Sequence, residues 1–112
     1  MSTGDGSAPV GETSVRRRVT ILNNRGLHAR AAAKFATAAG GFEAKIRVTR
    51  GDLTVSGLSI MGLMMLAAAP GQDVELVANG PDAEAAIDAL STLITNNFEE
   101  DENGADGPRG RN

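Results

Sequence analysis

The residues best suited to chemistry lie in one short segment, Arg25-Gly26-Leu27-His28-Ala29-Arg30, which holds the chain's single histidine. A lone histidine is ordinarily a surface or capping residue, and only its surroundings give it a task. Here an alanine-rich run begins at Ala29, so His28 stands at a helix start. The first backbone N–H groups of a helix have no acceptor within it and carry positive partial charge. A phosphoryl group on the His28 ring can accept bonds from the N–H groups of Ala29 and Arg30. The same positive end disfavours imidazolium and leaves the ring nucleophilic. Arg30 adds a planar fork of donors matched to phosphate oxygens. A histidine nucleophile, an anion-binding helix end and an arginine two residues on make a compact phosphoryl-transfer site. In this reading His28 accepts the phosphoryl group and Arg30 stabilises it. Gly26 and Leu27 have plainer tasks, a turn and a core anchor.

A second segment follows at Ser59-Ile60-Met61-Gly62-Leu63-Met64. Serine before an apolar run is a helix N-cap, worth about 1 kcal/mol. Helical spacing cannot send Ile60, Met61, Leu63, Met64, Met65 and Leu66 into one core. Leu63 and Leu66, three apart, face inward, which leaves Met61, Met64 and Met65 partly exposed. Methionines commonly fill core gaps, but an exposed apolar patch near a reactive group also suits protein docking.

The elements that must position these residues alternate in type. Val15 to Leu22 reads as a strand with Val15, Val19 and Ile21 on one face, although Arg17 falls on that same apolar face. Asn23 to Gly26 is a turn, and Ala29 to Ala39 a helix stopped by Gly40-Gly41. Ala44 to Thr49 and Leu53 to Ser56 form a hairpin across Arg50-Gly51-Asp52. Ile60 to Ala68 is a short helix ended by Pro70-Gly71, and Val74 to Ala78 is the fourth strand. Pro81 opens a last helix with Asp82 and Glu84 in its first turn. Its apolar positions Ala83, Ala86, Ile87, Leu90, Leu93 and Ile94 recur at helical spacing. The order βαββαβα, with hairpin-linked strands, predicts an α+β open sandwich with helices gathered on one face of the sheet.

Composition sets the limits. The 112 residues suit one small domain whose chemistry sits at its surface. Cysteine is absent, which excludes disulfides and thiolate metal sites, and one histidine cannot make a multi-histidine metal cluster. Neither a metal nor a cofactor is expected. A cysteine-free chain suits the cytoplasm. A net charge of −3 with phenylalanine as the only aromatic type argues against a nucleic-acid surface. Asp5 and the lack of an apolar run before Val15 argue against a signal peptide. Ile60 to Ala69, the richest apolar stretch, is too short to enter and span a bilayer. Residues 1–14 and 99–112 are polar and poor in large apolar side chains, so both ends are expected to be disordered around a folded unit of residues 15–98.

Gly26-Leu27-His28-Ala29-Arg30 resembles the active-site signature of HPr, the histidine phosphocarrier of the phosphoenolpyruvate-dependent phosphotransferase system. The Ser59 segment, 31 residues after His28, is similar to that family's regulatory-serine segment. The resemblance covers residues 15–98 and implies the HPr-like open-faced sandwich: a four-stranded antiparallel sheet covered on one face by three helices. It implies that enzyme I phosphorylates His28 on Nδ1 and that enzyme IIA proteins receive the group, for sugar transport. It further implies Arg30 as the phosphate-site arginine and Ser59 as the target of an HPr kinase/phosphorylase. Ile60, Met61, Met64 and Met65, joined by Ala29 and Ala33, would be the docking patch of a monomeric carrier. The chain departs from the family pattern at three positions and in a polar tail of about fourteen residues beyond the last helix. Ala31 stands where most members have proline, Arg25 where some have asparagine, and Leu58 where lysine is frequent. Two other readings stay open: a regulatory HPr-like protein that signals nitrogen or carbon status, and a non-transferring α+β ligand-binding module.

Overall fold

The structure, a computed structural model, describes residues 14–99. The ends expected to be disordered lie outside the described residues, apart from Ser14 and Glu99, which belong to regular elements. Seven elements follow one another: β1 (Ser14–Thr20), α1 (Ala29–Ala39), β2 (Lys45–Arg50), β3 (Leu53–Ser56), α2 (Ile60–Met65), β4 (Asp73–Asn79) and α3 (Ala83–Thr95). A short 3-10 turn, Asn97–Glu99, closes the described chain. The strands form one antiparallel sheet in the order β1-β4-β2-β3. The α+β open sandwich expected from the sequence is therefore the fold.

Strand alternation sorts the faces. Val19, Ile46, Val48, Val74, Leu76 and Ala78 are buried on the helix-covered face, against Phe35 of α1 and Ile87, Leu90 and Ile94 of α3. The open face carries Arg16, Arg18, Lys45 and Arg47 with Asp73 and Glu75, including an Arg16–Glu75 ion pair at 3.0 Å. Arg17, anomalous in the sequence pattern, does sit on the helix-covered face, opposite Leu76. Its guanidinium runs out along α3, where Nη2 lies 2.9 Å from Asp88 Oδ1 and Nη1 donates to Ser91 Oγ at 3.4 Å. The apolar stem covers the sheet and the charge stays in water.

Two helix boundaries differ from expectation. The sequence pattern carries the second helix to Ala68, but α2 ends at Met65, because the next carbonyls have partners outside it. Arg50 Nη1 donates to Leu66 O at 2.9 Å, Ala67 turns to φ 53°, and Ala68 O accepts from Leu27 N at 2.9 Å. Pro70 further disfavours helix at Ala69. At the last helix, Asp82 is the N-cap residue and not part of the first turn. Its carboxylate accepts from Glu43 N at 2.7 Å, tying the helix start to the loop before β2.

The chain leaves α3 through three consecutive left-handed residues, Asn97 (φ 58°), Phe98 (φ 56°) and Glu99 (φ 62°). Each costs on the order of 1 kcal/mol or more for a residue with a Cβ. Full burial of the Phe98 ring offsets this by about 1.5–3 kcal/mol. The turn thereby pins the end of α3 against α1.

Candidate phosphoryl-transfer site

The loop from Asn23 to His28 is held from inside. Asn23 is buried and donates from Nδ2 to Gly26 O at 2.8 Å, while Gly26 N donates to Asn23 O at 3.2 Å. Gly26 adopts φ +64°, and a Cβ there would lie 2.4 Å from Ala68 O. Glycine is thus needed twice at this position, for its dihedral angle and for the close approach of two backbones. Leu27 is buried at the next position, the anchor expected of it. The hydrogen bond that its N–H donates to Ala68 O joins the histidine loop to the segment after α2.

His28 follows as the N-cap residue of α1, in extended backbone (φ −82°, ψ −178°). Its carbonyl accepts the first intrahelical bond, from Ala32 N at 2.8 Å, so the amides of Ala29, Arg30 and Ala31 come before the helix's own ladder. The His28 side chain does not cap the helix and is half-exposed. Ala29 and Arg30 are exposed, whereas Ala31 and Ala32 are fully buried. A histidine ring, the leading amides of an 11-residue helix and an exposed guanidinium thus fall within three residues at one surface. That arrangement can hold an anionic tetrahedral group over the helix end.

Ser59 is the N-cap of α2 and its Oγ accepts from Gly62 N at 2.9 Å, as its position before Ile60 led us to expect. Gly62 is closely packed, since a Cβ there would be 3.0 Å from both Ser59 Oγ and Val55 Cβ. Leu63 and Leu66 are buried, and Ile60 (42 %), Met61 (71 %), Met64 (40 %) and Met65 (67 %) are exposed. Exposed Leu22 and Leu58 add apolar surface that the motif-based reading did not include. Ala33 is half-buried and lines a shallow cavity with Arg30, Lys34 and Glu99, on the side of α1 that meets the end of α3.

Sequence reasoning missed Asn23, Arg50 and Ala68 as supports of the site. Asn23 was visible as a turn residue. The backbone partners of Arg50 and Ala68 belong to distant segments and left no local signal.

Residues 15–96 match the family model described as the PTS HPr component phosphorylation site. The chain belongs to the HPr family. A phosphocarrier protein HPr of Cupriavidus necator is 48% identical over 88 residues, covering 79% of this chain and 99% of that protein. A phosphocarrier protein NPr of Shewanella violacea is 43% identical over 88 residues, 79% of this chain and 97% of that one. The crystal structure of HPr-C-His from Thermoanaerobacter tengcongensis superposes with a TM-score of 0.74 at 41% identity, covering 78% of this chain and 98% of that one. The chain is thus a phosphocarrier of the HPr/NPr type, and its four-stranded sheet and three helices are the HPr fold. HPr proteins work among the other proteins of the phosphotransferase system, enzyme I and enzyme IIA among them. Among the described residues no helix is long and apolar enough to cross a membrane.

Proposed function

We propose that His28 is the phosphoryl acceptor, charged by phospho-enzyme I and discharged to enzyme IIA proteins. The observation that carries this reading is the placement of His28 at the N-cap of α1, with Arg30 exposed on the same turn. In the forward step His28 Nδ1 attacks phosphorus, an N–P bond forms at His28, and the bond from phosphorus to enzyme I breaks in line. The amides of Ala29 and Arg30 and the Arg30 guanidinium bind the transferred oxygens. Because the group must leave again, the site stabilises it without enclosing it. Ile60, Met61, Met64 and Met65, with Ala29 and Ala33, form the docking surface for both donor and acceptor.

The carrier is monomeric and cytoplasmic in this reading. Ser59 is its regulatory position, phosphorylated by an HPr kinase/phosphorylase. A phosphate there would stand at the start of α2, beside the exposed methionines, and obstruct docking. Incubation with enzyme I and phosphoenolpyruvate should add one acid-labile, base-stable phosphate to the protein. His28→Ala should fold and accept none; acid-labile phosphate on that variant refutes the assignment. The alternative reading is a regulatory HPr-like protein that feeds no sugar transport. Presenting the phosphorylated protein to enzyme IIA proteins of transport and of regulatory type separates the two branches.

A further inference from the structure

We propose that Met61 and Met65 of α2 are sites of reversible oxidation to methionine sulfoxide, and that the sulfoxides weaken docking at the His28 surface. The modification stands on the placement of the two side chains; its effect on docking rests on the carrier reading above.

The chain contains no cysteine, tryptophan or tyrosine, so its thioethers are its most readily oxidised side chains. It has four methionines, and three of them fall within α2. None of these three is buried: Met61 is 71 % exposed, Met65 67 % and Met64 40 %. They are not core fillers, because buried Leu63 supplies the inward side of α2 and buried Leu66 follows it. Met61 and Met65 are four positions apart and share one helix face, with Met64 beside them. That face is joined to the histidine loop. α2 packs on α1, and Leu27 N donates to Ala68 O at 2.9 Å just beyond α2.

The oxidant is hydrogen peroxide. The methionine sulfur attacks one peroxide oxygen, an S–O bond forms and the O–O bond breaks. The departing hydroxide takes the proton from the transferred hydroxyl and leaves as water. Sulfur loses two electrons and the peroxide gains them. Two thiols reverse the step through a sulfoxide reductase: they become a disulfide, and the oxygen leaves as water.

Exposure decides what the oxidation does. Most of each side chain lies in water, so the new S=O dipole stays solvated, while Leu63 and Leu66 keep the core beneath α2. Covering the same groups with an apolar partner removes that water and leaves a strong acceptor unpaired. The cost falls on the complex and not on the fold.

The test treats the full chain with hydrogen peroxide, removes the excess with catalase, and follows each methionine by peptide mass spectrometry. Met61 and Met65 should each gain one oxygen, about 16 Da, ahead of Met64. The melting temperature should stay within about 2 °C of the untreated protein. The KM of the oxidised protein as a substrate of enzyme I should rise on the order of tenfold, with kcat little changed. Methionine sulfoxide reductases with a thiol should restore both the mass and the KM. A Met61→Leu, Met65→Leu variant, whatever its own starting KM, should respond to peroxide weakly at most. Oxidation of Met64 ahead of both, or a melting temperature that falls with each added oxygen, overturns the modification. An unchanged KM with both thioethers converted, or an equal response in the double variant, overturns the effect on docking. If the untreated protein takes up no phosphate, the carrier reading and the effect on docking fall together. The order of oxidation, the melting temperature and the reversal by reductases then decide the modification alone.

Discussion

Replacing Gly26 by alanine should damage the protein more than the same change at the turn glycine Gly51. The left-handed backbone at φ +64° costs an alanine about 1–2 kcal/mol. The added Cβ also falls 2.4 Å from Ala68 O, a full ångström inside the 3.4 Å where ordinary contact begins. Backbone cannot rotate away as a flexible side chain would, so the two segments must separate. That separation breaks the 2.9 Å bond from Leu27 N to Ala68 O, worth about 1 kcal/mol. The total is about 2–3 kcal/mol, a fall in Tm of roughly 8–24 °C for a domain of this size. Gly51 is the matched control: it has φ +61° but nothing within 4 Å of an added Cβ. Gly51→Ala should cost only the conformational part, about 1–2 kcal/mol. Urea unfolding of both variants measures the difference directly. Because Gly26 lies two residues before His28, its variant should also accept phosphate more slowly under conditions where it is still folded. If Gly26→Ala is no less stable than Gly51→Ala, the close approach does not hold the histidine loop in place.

Two further outcomes follow from the site. Arg30→Ala should slow phosphoryl transfer in both directions by roughly tenfold without abolishing it, because the leading amides of α1 remain as donors; steady-state rates equal to the parent would remove Arg30 from the site. Ser59→Ala should lower stability by about 1 kcal/mol through loss of the bond to Gly62 N, seen in urea unfolding. Ser59→Asp should keep the cap and the melting temperature while markedly slowing transfer from enzyme I, since the new charge lies beside the exposed apolar surface proposed for docking; a parental transfer rate would leave Ser59 as a cap alone.

The helix starts that frame the candidate site and most of the elements were legible in the sequence because both rest on local rules. His28 before an alanine run, and Ser59 before Ile60, are helix starts wherever those helices pack, and α1 begins and ends at the expected residues, Ala29 and Ala39. Alternation placed Val19 and Ile21 on a buried face, and helical spacing turned Leu63 and Leu66 inward. The two motifs at their separation, with the order of the elements, carried the resemblance to the family.

What lay beyond local rules was decided by tertiary contacts. Arg17 sits on the covered face because Asp88 and Ser91 of α3, more than seventy positions away in the chain, receive its guanidinium at the helix edge. α2 stops at Met65 because Arg50 and Leu27 claim the carbonyls that follow. Asp82 turns from its own helix to Glu43, since that amide comes within 2.7 Å only after the strands have paired. The left-handed turn at Asn97–Glu99 has no glycine to announce it; Phe98 draws the chain into it by reaching the core. In each case a polar group or a ring takes a partner remote in sequence, and no window along the chain contains both members of the pair.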